Sequence, residues 1–519
     1  MGPADDHGPV FHLAAHGQIR PVSLRIAHVP CPDHGRKRPR LLAIAAVWLW
    51  SASAVHADRY HLPNLGEASS VVLSRSQERI LGAQFMREAR QQLPIIHDPE
   101  LETYLQSFGE HLVHASDEPK ARFTFFLIHN RVINAFSVPG AYVGVDSGLV
   151  LTTRNEDELA AVLSHEIAHV TQHHIARLLA EQQRLSLPSM GAMLAGILLA
   201  AAQPMAGIAM LTTTSAALAQ NQLDYSRRFE AEADRVGQAT LVRAGFNPRA
   251  MPDFFERLER WAHLNDAGAL PPFLQTHPVT AERIAQSRDR AAAYPDTAMK
   301  DGLHFELMRA RLRVMTARSA RAVAARYRRA LLHASQPRRQ AYEYGLALAD
   351  LRRGQLAQAT ERTQALRHAH PARLAYALLR AEIDEAAGHY SAAAIRYHHA
   401  LVRHPGSIAA EEHYAMVLLQ SGNGGDARTT LQHLTHAHPD HAYWFRLLAR
   451  ANTETGHPLA AHQALARYYD LDDQPEAAIE QLHLAATLAG QRHDSYTLAL
   501  LSARIAHIRR RVKDTPKLP

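Results

Sequence analysis

The chain has 519 residues, 47% apolar and 21% charged, with a formal net charge of +7 and one cysteine. That is ample apolar content for two to four globular domains, and a lone thiol, Cys31, excludes a disulfide-stapled fold. Residues 1–57 hold six Lys/Arg and three Asp/Glu, so without them the charge falls to +4 and the basic balance supports no nucleic-acid partner.

Those 57 residues read as an N-terminal extension and signal peptide. Arg36, Lys37, Arg38 and Arg40 precede an apolar run, 41–50, and Val55-His56-Ala57 forms a small-residue cleavage site before Asp58. The run is too short for a confident membrane span, which predicts export with removal of the segment, and Cys31 with it. Arg509-Arg510-Arg511 reads as a helix-end or solvated cluster rather than a binding site.

From Glu78 to about His114 apolar residues recur every three or four positions, with Pro94 as a break, which predicts two helices. The period then changes. Residues 122–128, 133–137 and 141–145 are rich in β-branched and aromatic side chains around Pro139-Gly140, and they predict a small sheet. Its edge can add an extended substrate backbone as one more strand.

His165-Glu166-Ile167-Ala168-His169 sets two histidines four apart, on one helix face, where both imidazoles can reach one Zn²⁺. Glu166 between them can take a proton from a metal-bound water. Asn155 reads as the N-cap of this helix with Glu158 at its third position, and Leu159, Val162, Leu163, Ile167 and Val170 follow at helical spacing. Downstream, Phe229-Glu230-Ala231-Glu232-Ala233-Asp234 offers Glu230 as third ligand. Asp234, one turn on, can accept the outer N–H of a ligating histidine.

With Asn134-Ala135-Phe136, Pro139-Gly140 and Gly148-Leu149, these motifs resemble the metalloprotease family of HtpX and the CAAX prenyl proteases. The resemblance implies one zinc per chain held by His165, His169 and Glu230, with Glu166 as general base. Export and repeats make the chain most similar to the branch that attends outer-membrane barrel assembly. Gln275-Thr276-His277-Pro278 places an imidazole on a loop, since Pro278 biases His277 toward extended backbone and Thr280 can cap a helix beginning near Ala281. The resemblance makes His277 a candidate displaceable fourth ligand that keeps the enzyme latent.

Between Arg184 and Asp224 there are 39 residues without a charge, divided by Gln203-Pro204. The run reads as a helical hairpin or plug beside the active site, with peripheral membrane contact through 187–219 as the next reading. The second half then repeats with a period of 34: Ala347, Ala381, Ala415 and Ala449; Gly354, Gly388, Gly422 and Gly456; Ala359, Ala393, Ala427 and Ala461. Pro371, Pro405 and Pro439 close the units, whose preceding histidines the spacing assigns to structure. These are tetratricopeptide repeats, and they offer a concave face to protein partners.

The expected architecture is mainly α with a small β-sheet: residues 58–300 a zincin-type metalloprotease, 301–335 a helical connector, 336–510 a repeat solenoid and 511–519 a tail. The expected function is a secreted zinc endopeptidase, for which the resemblance implies a place in the periplasm and quality control of outer-membrane proteins. Its partners are unfolded or misassembled substrates and the barrel-assembly machinery. The alternatives are a chaperone or scaffold with a silent zinc site and a membrane-anchored protease.

Overall fold

Ser74 and Gln77 form a reciprocal capping box at the start of α1 (Arg75–Gln92), which ends where Leu93, ahead of Pro94, is held extended. Asp98 caps α2 (Pro99–His114), accepting from the Leu101 N–H at 3.0 Å, with Pro99 in the first helical position. The computed structural model describes residues 74–181, 216–264, 271–295, 297–298 and 302–514. All of them belong to one unit, Leu65–Pro519. The expected export segment lies outside the described residues, as does the uncharged run apart from residues 216–223.

Three short strands follow, β1 (Thr124–Ile128), β2 (Ala135–Val138) and β3 (Tyr142–Asp146), in the order β1-β3-β2. β3 pairs parallel with β1 and antiparallel with β2, with Ala135 opposite Val145 and Val138 opposite Tyr142. Among the described residues this leaves β2 as an edge, packed against the next long helix. That helix, α4 (Glu156–Thr171), comes after the short α3 (Ser147–Thr152) and is capped by Asn155, whose side chain accepts from the Glu158 N–H at 3.0 Å. All but a few of its residues are buried, so it runs through the core rather than over it.

After α5 (His174–Glu181) comes α6 (Ala216–Arg243), which crosses α4 at very close range. A Cβ at Gly237 would stand 2.9 Å from the Ser164 carbonyl oxygen and 3.0 Å from the His165 backbone nitrogen, so only glycine permits this approach. α7 (Ala250–Leu264), α8 (Pro272–Thr276) and α9 (Ala281–Ala292) complete the protease portion. No helix among the described residues is long and apolar enough to cross a membrane.

Two helices, α10 (Leu303–Thr316) and α11 (Ala320–Leu331), lead into a helical solenoid. Its members are α12 (Arg338–Arg352), α13 (Leu356–Ala369), α14 (Leu374–Ala386), α15 (Tyr390–Arg403), α16 (Ile408–Gln420), α17 (Gly424–Ala437), α18 (Ala442–Glu454), α19 (Pro458–Leu471), α20 (Pro475–Gln491) and α21 (Ser495–Asp514). The last runs through residues 511–514, where a tail is expected from the sequence. Gly354, Gly388, Gly422 and Gly456 turn between paired helices at φ of 70°, 76°, 78° and 72°, a left-handed conformation that explains their period. The alanines of both 34-residue series are buried between helices. His370, His404 and His438 are helix C-caps, each donating its backbone N–H four residues back, in keeping with a structural role.

The solenoid is tied to the protease portion by a buried ion cluster. Arg311 on α10 donates to both Asp98 oxygens at 2.7 to 2.9 Å and to Glu382 Oε1 of α14 at 3.0 Å. Its Nη2 also lies 3.0 Å from Glu100 Oε2 on α2, while His413 of α16 contacts that same oxygen through Nε2 at 2.9 Å. Burial disfavours the charged form of His413, but Glu100 beside it outweighs that and raises its pKa to about 9.

Candidate metal centre

Four side chains from three elements converge below β2. His165 and His169 come from α4, Glu230 from α6 and His277 from the turn after α8, and one ligand atom of each lies within 4.8 Å of the others. His165 Nε2 faces His169 Nε2 at 3.0 Å and Glu230 Oε2 at 3.4 Å. Glu230 Oε1 is 3.4 Å from His169 Nε2. His277 brings its Nδ1 to 2.9 Å from Glu230 Oε1 and 3.4 Å from His165 Nε2, with its Nε2 3.5 Å from Glu166 Oε1.

The helix spacing explains the convergence. His165 and His169 are one turn apart, as are Glu230 and Asp234, so each helix turns a pair of functional groups toward the other across the Gly237 contact. Asp234 Oδ1 sits 3.0 Å from His165 Nδ1, on the side away from the cluster, although not in line for a straight hydrogen bond. Ser137 on edge strand β2 donates its hydroxyl to Glu166 Oε2 at 3.0 Å. That bond holds the carboxylate between strand and helix and leaves Oε1, buried and without a hydrogen-bond partner, turned to His277.

His277 is nine-tenths buried. The capping of α9 by Thr280, whose hydroxyl accepts from the Arg283 N–H at 3.2 Å, fixes the turn that aims it inward. Arg283, unremarked in the sequence, ties the whole arrangement: it donates to Asp234 at 2.7 and 2.8 Å and to the Pro278 carbonyl at 2.7 Å, and its Nη1 stands 3.0 Å from Glu230 Oε2. Its position six residues after His277, within the first turn of a helix that Thr280 predicts, is the only sequence signal for it. His174 also escapes a sequence reading. Its Nδ1 lies 2.8 Å from His169 Nδ1, on the far side of that ring.

The electrostatics favour a cation here. Burial opposes charge on His165, but Asp234 and Glu230 raise its pKa to about 10. Burial likewise opposes the Glu230 carboxylate, yet the imidazoles of His277, His165 and His169 hold it well below the ordinary carboxylate range. For Asp234, Arg283 and His165 override burial and bring it to about 2. His169 is pushed down, chiefly by burial. When it gives up one proton, the His165 ring keeps the other on Nδ1, where an acceptor-only carboxylate stands behind it, and turns a bare Nε2 to His169. Imidazole nitrogens 3.0 Å apart, with the buried Glu230 carboxylate 3.4 Å from each, fit a shared divalent metal.

A profile of Peptidase family M48 matches residues 99–291, and one of a tetratricopeptide repeat matches residues 385–451. The "Beta-barrel assembly-enhancing protease" of Escherichia coli (strain K12) is 32% identical over 445 residues, 86% of this chain and 91% of that protein. The chain belongs to the beta-barrel assembly-enhancing protease family. The "Putative beta-barrel assembly-enhancing protease" of Vibrio cholerae is 45% identical over 255 residues; the match spans 49% of this chain and 52% of that protein. Outside it, the "Mitochondrial metalloendopeptidase OMA1" of Schizosaccharomyces pombe is 30% identical over 192 residues, 37% of this chain and 53% of that protein. As a member of the assembly-enhancing family, the chain is a metalloendopeptidase with a repeat solenoid behind it.

Proposed function

We propose that the chain is a zinc-dependent endopeptidase of the periplasm that removes unfolded or misassembled proteins during outer-membrane barrel assembly. Its repeats recruit the clients or the assembly machinery and give it a chaperone-like hold on them. The observation that carries this reading is the meeting of His165, His169 and Glu230 in one buried cluster beside Glu166. The names of its relatives support the setting, and residues 36–57 support export.

In this reading His165, His169 and Glu230 hold the metal, which when bound supplies Lewis acidity toward a water and a scissile carbonyl. Asp234, fixed by Arg283, orients His165. Glu166, aimed by Ser137, receives the proton of the attacking water and passes it to the leaving amine. The edge of β2, which no strand among the described residues pairs, lies next to Glu166 and can pair with an extended substrate. His277 stands in the cluster as a displaceable fourth ligand, a latch on the resting enzyme. The test is proteolysis of an unfolded outer-membrane protein by the purified chain, with and without a chelator and zinc. Cleavage that stops on chelation and returns with zinc supports the proposal; cleavage indifferent to chelation contradicts it.

A further inference from the structure

Behind His165 stands a carboxylate, but behind His169 stands a second imidazole. α4 ends at Thr171, and the chain turns through His173 at φ 51° before α5 begins at His174. This left-handed residue is held between Glu78 and Glu118, with ring nitrogens 3.4 and 3.7 Å from their oxygens. The turn folds His174 back under the helix it has just left, with Nδ1 2.8 Å from His169 Nδ1 and the rings edge to face at 4.8 Å.

His174 is itself fixed. Its ring stacks on Phe229 at 4.5 Å, and its Nε2 lies 3.4 Å from Glu232 Oε2, which accepts from Arg177 at 2.8 Å. Arg177 in turn lies over the Phe229 ring. Phe229 and Glu232 belong to the same helix as Glu230, so the clamp on His174 and the third ligand move together.

Two nitrogens 2.8 Å apart have room for one proton between them. The other His174 nitrogen faces a carboxylate, which only accepts, so that nitrogen carries the ring's hydrogen. His174 Nδ1 is then the acceptor and His169 Nδ1 the donor. We propose that His174 is the positioning residue of His169: it holds the ring in the tautomer whose bare Nε2 points to His165 and Glu230. The inference rests on reading those three residues as metal ligands. The two histidines are thus oriented by different chemistries, His165 by an anion and His169 by a neutral imidazole backed by Glu232 and Arg177.

The experiment measures zinc affinity of the full chain by competition with a chromogenic chelator, together with the visible spectrum of the Co²⁺ form. His174→Leu should weaken zinc binding about 10- to 100-fold, the usual effect of removing a ligand's outer partner, and alter the Co²⁺ bands. His174→Asn, whose amide oxygen can accept where Nδ1 did, should recover most of the affinity. If the Leu variant does not fold, His174→Gln takes its place, since it reaches toward Glu232 rather than His169. Wild-type affinity in the Leu or Gln variant overturns the inference. Equal weakening in Asn and Leu overturns it as well, because packing would then be the whole role. A wild-type chain that takes no zinc overturns the metal reading and the inference together, whereas zinc lost in Glu230→Ala but kept in His174→Leu overturns the inference alone.

Discussion

Two buried clusters in this protein are built from the same residue types and do different things. In one, His165, His169, Glu230 and His277 gather within 4.8 Å; in the other, so do Glu100, Glu382 and His413. The second has a cation built in: Arg311 lies 3.0 Å from both Glu100 and Glu382, where a metal would have to bind. In the first, the corresponding arginine, Arg283, stands to one side, on Asp234 and Glu230 Oε2, and leaves Glu230 Oε1 to His277 Nδ1 at 2.9 Å and His169 Nε2 at 3.4 Å. Proximity of ligand-type atoms therefore does not make a metal centre. What matters is whether their lone pairs are already taken by a permanent positive charge.

The comparison separates chemistry from cohesion, and the largest expected effect lies on the chemical side. Glu166→Gln should lower turnover by about 10²- to 10⁴-fold, the range for loss of a general base, with little change in thermal midpoint because the substitution keeps the buried shape. Next in size, Arg311→Leu should destabilise the chain by about 3–5 kcal/mol, since it leaves Asp98 buried without its cation and Glu100 with His413 alone. Denaturant unfolding reads this directly, and zinc content at native conditions should not change. If Arg311→Leu loses zinc while remaining folded, the division between the clusters fails.

A smaller effect is expected at His277. Its removal from the cluster should raise basal cleavage of an unfolded substrate several-fold while zinc stays bound. Unchanged turnover would sink the latch, and a fall in turnover would make His277 a transition-state stabiliser instead. The smallest effect is on the ion cluster through pH. The pKa of His413 rises from an ordinary 6.5 to about 9, so its stabilisation is fully present below pH 6.5 and is lost as pH rises through 9. Glu382, raised mainly by burial, acts in the same direction. The thermal midpoint should therefore decline across that window, and His413→Gln should flatten the decline.

Much of this was legible because it is local or periodic. The His165–His169 spacing, the Asn155 cap, the Glu230–Asp234 pair and the 34-residue series each declare themselves within a few turns of helix or by repetition. Thr280 even announces the turn that aims His277. The rest depends on tertiary proximity. Asp98 lies more than two hundred residues before Arg311, Glu382 and His413, and each alone reads as an ordinary solvated charge. His174 hides in a His-His pair, its role created by one left-handed residue. Ser137 is a hydroxyl on a strand until the fold sets Glu166 beneath it.

The most direct test is elemental analysis of the purified chain beside Glu230→Ala and Glu382→Ala. One zinc per wild-type chain, lost in Glu230→Ala and kept in Glu382→Ala, is the expected result. A second metal, or zinc that survives Glu230→Ala and disappears with Glu382→Ala, would contradict the assignment of the two clusters.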